Sequence, residues 1–240
     1  MPAHLLLRLE APLLSLGSAA VDQRRPIQRW PAASLLTGLL GNALGWRRTE
    51  AVLLDLLQAR LRWAARIDRP GLPITDFQTA LLDGNDQGWT TRGVVEERAG
   101  GPNPSGAPHI RWRDYRADAS LAVALRLDDA DQPPTLSDIA AALDRPARPL
   151  FIGRKNCLPS QRLLIGLFDA ADGVAALALA PLAADADPWP AVFFNDTDGV
   201  PAGTLVAHRA SDQRRFSIDV HAGQQTIHEL HLPGDRQVAR

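Results

Sequence analysis

The sequence predicts an α+β fold, and three observations carry that reading. In the first 80 residues, short apolar runs of strand length alternate with leucine stretches spaced for a helix. Between 83 and 109, glycine is frequent and neither period survives. From about 160 onward, short apolar runs broken by turn residues suggest a smaller β-rich part.

His4 to Glu10 is an apolar run closed by Ala11-Pro12, which reads as a buried first strand. The stretch from Arg29 to Arg48 follows a loop. Pro31 suits a first helical turn, and Leu35, Leu36, Leu39, Leu40 and Leu44 recur on one stripe, so a helix is expected. Gly38, Gly41 and Gly45 each cost a helix about 1 kcal/mol relative to Ala, so they predict a bare face that a sheet or a ligand approaches closely. Arginines flank it at both ends: Arg24, Arg25 and Arg29 before, Arg47 and Arg48 after. Thr49 or Glu50 opens a second helix, and Trp63 to Asp68 reads as a strand closed by Arg69-Pro70-Gly71. Strand, helix, strand is half of a ferredoxin-like unit.

Through the glycine-rich stretch and its end, Trp89, Arg92, Arg98, His109, Arg111, Trp112 and Arg113 mix rings with cations. That mixture suits a surface for single-stranded nucleic acid, and equally a solvated insertion with an apolar foot. Leu121, Val123, Leu125 and Leu127 alternate at the end of a strand over 114–127. Leu136 to Leu143 is a short helix, capped by Thr135 and stopped by Pro146. Pro149 to Cys157 is a brief apolar strand running into a glycine turn, where Arg154 and Lys155 could converge on an anion. Further on, 163–168 and 174–182 are expected in the core and 192–195 as a strand. Phe216, Ile218 and Val220 alternate ahead of Ala222-Gly223 in a closing hairpin. His221, His228 and His231 do not make a zinc site: 228 and 231 would face opposite sides of a strand, and no fourth ligand stands at metal-site spacing.

Composition narrows the classes further. An apolar fraction of 45% supports an ordinary core, and the single Cys157 excludes an internal disulfide. The N-terminus lacks both a basic leader region and a long apolar run, and no stretch reaches the roughly 20 apolar residues of a membrane span, so a cytoplasmic protein is expected. Net charge is −1, divided as +3 over residues 1–120 and −4 over 121–240. The N-terminal part is thus permitted a polyanionic partner, and 25 of the 26 cations are arginine, the residue suited to bidentate phosphate contacts.

Five stretches in order, LRLEAPLLSLG at 7–17, RWP and LLTGLLGNALG within 29–45, RIDRPG with TDFQT within 66–79, RDYRADASLAVAL at 113–125 and LFIGRKNC at 150–157, resemble the Cas-five family of the type I-E CRISPR surveillance complex Cascade. The resemblance implies a ferredoxin-like, RNA-recognition-motif-like core of the RAMP class over 1–160. It implies a thumb over 82–112 and leaves 161–240 as a β-rich extension packed on the core. It further implies a subunit that caps the assembly by holding the repeat-derived 5′ handle of the guide crRNA. Its partners would be the Cascade backbone subunit and the large subunit, with target DNA met only through the complex and no membrane involved. Arg24, Arg25, Arg29, Ser34, Gly38 and Asn42 carry over from the helix and its flanks. Trp30, Arg47, Arg92, Arg98, Arg111, Trp112, Arg113, Arg154 and Lys155 complete the expected RNA-binding set.

No catalytic constellation, metal cage or cofactor motif is evident, so a non-catalytic subunit is expected, with no cofactor. The alternative is a metal-independent endoribonuclease processing the precursor crRNA, with Tyr115, Lys155 and His4 or His109 as acid and base. Cys157 reads as a buried structural thiol.

Overall fold

A computed structural model describes residues 1–20, 23–80, 88–89, 95–96, 109–188, 190–196 and 204–231. Sheet dominates, with four helices among these residues: α1 (Ala33–Ala43), α2 (Ala51–Arg60), α3 (Leu136–Asp144) and α4 (Gly173–Leu179). The strands are β1 (Ala3–Leu14), β2 (Arg24–Arg25), β3 (Leu61–Arg69), β4 (Leu72–Ala80), β5 (Gly88–Trp89), β6 (Val95–Glu96), β7 (His109–Leu127), β8 (Leu164–Asp169), β9 (Ala191–Phe194), β10 (Thr204–Arg215) and β11 (Val220–His231). Nine of them form one sheet in the order β10-β11-β9-β3-β7-β1-β8, with β2 and β4 added along β7. Every pairing in it is antiparallel except the short β2 on β7.

β7 organises this sheet. Its C-terminal half lies between β1 and β3, with Leu125 opposite both Leu5 and Trp63. Its N-terminal half runs on past the core, where β4 pairs with it from Leu72↔Ala117 to Ala80↔His109. The halves meet at Asp118, whose φ of 55° marks a local irregularity. There Arg69 donates from Nε to the Asp118 carbonyl at 2.7 Å and pairs with its carboxylate at 2.9 Å.

Alternation gives the sheet two apolar faces. Leu5, Leu7, Leu9, Trp63, Leu121, Val123 and Leu125 pack under α1 and α3 in the main core. Leu6, Ala64, Ala122, Ala124 and Phe194 face α4, where Ala176 and Leu177 lie close on the small side chains. A charged cluster pins this second layer. Asp68, fully buried, accepts from Arg8 and from Arg66 Nε at 2.5 Å each, and Arg66 also donates to the carbonyls of Leu177, Ala180 and Pro181. The two arginines thereby satisfy the carbonyls at the end of α4, whose N-terminus is capped by Asp172.

Several expectations need correction. The first strand continues past Ala11-Pro12 to Leu14; Pro12 falls beyond the reach of β8, so no ladder bond is lost on that edge. β4 lies outside the elements expected from the sequence, because its residues are largely exposed. The stretch 149–157 forms no strand. Gly153 has φ 86° and a side chain there would strike the Ser15 carbonyl, while Ile152 and Cys157 close a turn on themselves at 2.8 Å. The last hairpin turns at 216–219, with Asp219 at φ 63°, and Gly223 lies within a strand opposite Gln213 at a bulge. α3 keeps its expected start: Thr135 and Asp138 form a reciprocal capping box.

Candidate nucleic-acid interface

α1 brings its apolar stripe down onto the sheet, so its opposite face is left for another task. Ser34, Gly38 and Asn42, spaced i, i+4, i+8, floor an open groove of about 810 Å³. The loop at 15–20 with Arg25 and Pro26 lines it, as do Arg148, Phe151, Gly153 and Arg154. So do Trp46, Arg47 and Arg48 after α1, and Arg214, Phe216, Asp219 and His221 at the β10–β11 turn. Six arginines and a single carboxylate, Asp219, therefore line one cleft.

The three glycines do not share a face. A side chain at Gly38 would meet nothing within 4 Å, so this position is open to the groove, whereas Gly41 is packed under Leu54 of α2. Gly45 lies beyond the helix end with φ 83°. Arg148 donates to the carbonyls of Trp46 and Gly45 at 2.7 and 2.6 Å, and Asn42 donates to the Pro149 carbonyl at 2.9 Å. The end of α1 and the 148–154 wall are thus one hydrogen-bonded unit.

Arg154 is held as firmly as it is charged. It donates to the carbonyls of Asp114 and Arg25 at 2.7 and 3.0 Å and lies 4.5 Å over the Tyr115 ring, which leaves it fixed at the groove edge. Lys155 is exposed in the same turn, outside the groove lining. At the hairpin end, Arg48 and Arg214 both pair with Asp219. Burial, and the Arg48 charge after it, lowers the Arg214 pKa; burial, then Arg214, lowers that of His221.

Other expected residues lie elsewhere. Trp30 is in the main core, its ring 5.2 Å from Phe193 and 5.3 Å from His208, and does not line the groove. Arg29 is half-exposed, paired with Glu229 at 2.9 Å and 4.9 Å over the Phe193 ring. In the register of β2, β4 and β7, Arg25, Asp76 and Arg113 share one face of the projection, and Arg24, Phe77 and Trp112 the other. On that reverse face, Arg24 lies 5.8 Å over Trp112, and Phe77 packs 5.6 Å from it. Arg111 follows Arg113 on the first face and bonds the Ile110 carbonyl. Arg92 and Arg98 lie outside the described residues, as do the side chains of Trp89 and His109.

Arg148, Arg214 and the placement of His221 escaped sequence reasoning. Arg148 falls between the α3 segment and the 149–157 stretch, where no local pattern marks it, and the other two depend on a hairpin register that apolar alternation did not fix.

Of the groups weighed for acid–base work, Tyr115 and His4 are both buried. Tyr115 is buried beneath Arg154, its hydroxyl accepting from Asn156 at 3.3 Å. His4 is buried in β1 on the same face as Leu6, away from α1, and burial lowers its pKa. Cys157 is fully buried, and burial pushes its thiol pKa up. Among the described residues, no group of three or more His, Cys, Asp or Glu side chains could hold a metal ion, and no helix is long and apolar enough to cross a membrane.

Fold and groove together define a sheet-dominated α/β protein with an arginine-lined cleft. The profile of the family described as CRISPR-associated protein (Cas_Cas5) matches residues 4–227, and the chain belongs to that family. It is 31% identical over 177 residues to the CRISPR system Cascade subunit CasD of Escherichia coli (strain K12), covering 74% of this chain and 76% of that one. Among solved structures it is similar to a chain of a CRISPR RNA-guided surveillance complex, with a TM-score of 0.65 and 28% identity over 95% of this chain and 89% of that chain. A second structure, described as a Cas protein, shares the fold at a TM-score of 0.56, with 24% identity over 94% of this chain and 93% of the other.

Proposed function

We propose that this chain is a non-catalytic Cascade subunit that holds the 5′ handle of a guide crRNA in the groove along α1. The observation that carries this reading is the cleft itself, six arginines to one carboxylate with an open glycine position in its floor. Such a cleft concentrates phosphate and lets a backbone lie close against the helix. Kinship with a Cascade subunit and a surveillance-complex chain supports the same reading.

The strand order β3-β7-β1-β8, with α1 and α2 leading from β1 to β3 and α3 from β7 to β8, supports a ferredoxin-like core of the RAMP class. On this reading the RNA-binding core is 1–160 completed by β8 from the extension 161–240, and 82–112 is the thumb that meets the backbone subunit. The subunit caps the assembly beside the large subunit in the type I-E complex of the cytoplasm, and target DNA reaches it only through the complex.

The test mixes the full chain, in EDTA, with labelled guide RNA carrying the repeat-derived 5′ segment, and separately with its precursor. Intact RNA in a handle-dependent, salt-sensitive complex is expected, with log affinity falling by about 0.7 per decade of salt for each phosphate contact. A discrete cut within the precursor repeat, or equal binding without the handle, would overturn the reading.

A further inference from the structure

The C-terminal hairpin, distant along the chain from every residue that the sequence marked for RNA, reaches the same groove. Its tip is fixed on α2 by three bonds. Gln58 donates to the Arg214 carbonyl at 2.9 Å and accepts from the Arg214 backbone N–H at 3.0 Å, and Asp55 accepts from the Phe216 N–H at 3.0 Å. This placement brings Arg214 up to Arg48, which follows α1. Two guanidinium groups that would otherwise repel are joined by one carboxylate, Asp219, whose side chain is 8% exposed.

Resting on the groove reading above, we propose that Arg48, Arg214 and His221 form a phosphate site at the hairpin end of the cleft, and that Asp219 occupies it in the RNA-free chain as an internal stand-in for the phosphodiester. Carboxylate and phosphodiester each carry one negative charge on two oxygens that accept from guanidinium N–H groups, so one replaces the other without rebuilding the cations. Three polar atoms of this cluster are closed off from solvent and have no hydrogen-bond partner among the described residues: Arg214 Nε, His221 Nδ1 and Asp219 Oδ2, the last held only by its ion pair with Arg48. Buried groups of this kind call for an acceptor or donor that the RNA-free chain does not supply. A phosphodiester entering as Asp219 swings out offers oxygens that Arg214 Nε can reach. His221, when protonated, donates to them as well.

The turn itself explains why the stand-in is aspartate. Asp219 sits at φ 63°, where Gly, Asn and Asp are favoured, and of these only Asp carries the charge. Asn at this position keeps the turn and removes the competitor, which makes the test clean.

Binding of a labelled single-stranded guide RNA with its repeat-derived 5′ segment is measured against salt for the full-length chain and three variants. Asp219→Asn is expected to tighten binding about tenfold, as removal of a competing charge pair should. Arg48→Ala, a half-exposed side chain whose loss leaves the core intact, is expected to weaken binding about tenfold and flatten the salt slope by about 0.7. Gly38→Glu, which places a carboxylate on the groove floor, reports on the groove reading alone. Loss of binding in Gly38→Glu, with Asp219→Asn unchanged or weaker or with the Arg48→Ala slope unchanged, overturns the phosphate site and leaves the groove standing. Wild-type binding in all three variants overturns both.

Discussion

Asp212 Oδ2 accepts a hydrogen bond from the backbone N–H of Ala33 at 3.3 Å, so the helix that floors the groove is capped from 179 residues away. Ala32, at the N-cap, has no side chain able to do this. Asp212 is fully buried in β10 and also accepts from Gln225 at 2.6 Å. Asp212→Ala is expected to cost about 1–2 kcal/mol through the lost cap, read by urea unfolding. Burial raises the Asp212 pKa despite its hydrogen bonds, so its ionisation opposes folding progressively as pH rises above the ordinary carboxylate range. The stability of Asp212→Asn relative to wild type should therefore rise as pH increases above about 4. A constant difference across that range would contradict the assignment.

Asp68 behaves in the opposite sense. Burial alone would raise its pKa, but the bonds from Arg66 and Arg8 outweigh it and hold the carboxyl below its usual range. Its contribution is complete above the ordinary carboxylate value and disappears as pH falls through the depressed one. Asp68→Asn leaves two buried guanidinium groups without their anion and should cost about 3–5 kcal/mol at neutral pH. Thermal scans of both proteins on a descending pH series should show the gap narrowing in acid.

Glycine substitutions separate floor from wall. Gly38→Ala should raise the unfolding free energy by up to about 1 kcal/mol, since space is open there and alanine is the better helix former. Gly153→Ala must abandon φ 86° and would drive a methyl into the Ser15 carbonyl, so it should lower the melting temperature and loosen the 148–154 wall. Circular dichroism melts distinguish the two directly.

The tryptophans sort in the same way. Trp30→Ala opens a cavity between Phe193 and His208 and should cost about 3–5 kcal/mol. Trp112→Ala gives up a ring pair with Phe77 and the Arg24 contact on a partly exposed face, and should cost under about 1.5 kcal/mol. Similar losses in chemical denaturation would refute the difference in setting.

How far the sequence could be read follows from where burial is one-sided. Leu35, Leu36, Leu39 and Leu40 announced α1 because one face of it lies in the core, and the alternation from Leu121 to Leu127 announced the end of β7 because large side chains fill one face of the sheet and alanines the other. β4 and the start of β7 project beyond the core, so their side chains carry no such period and their pairing stayed hidden. At the groove, Arg25, Ser34, Gly38, Asn42, Arg47 and Arg154 were legible from local pattern and family resemblance, and they do line one cleft. Arg148 and Arg214 arrive there through tertiary contacts alone, and Trp30 misled because a tryptophan flanked by arginines looks alike in a core and on a surface.

β7 is at once the central strand of the core and the root of the projection, 19 residues in a single run. Load applied to the projection is therefore carried along the ladders to β1, β3 and β4 in shear, many hydrogen bonds at once, and the Arg69 fastening at Asp118 resists buckling where the two halves join. The projection is thus a cantilever continuous with its foundation, sharing one strand with the sheet beneath α1.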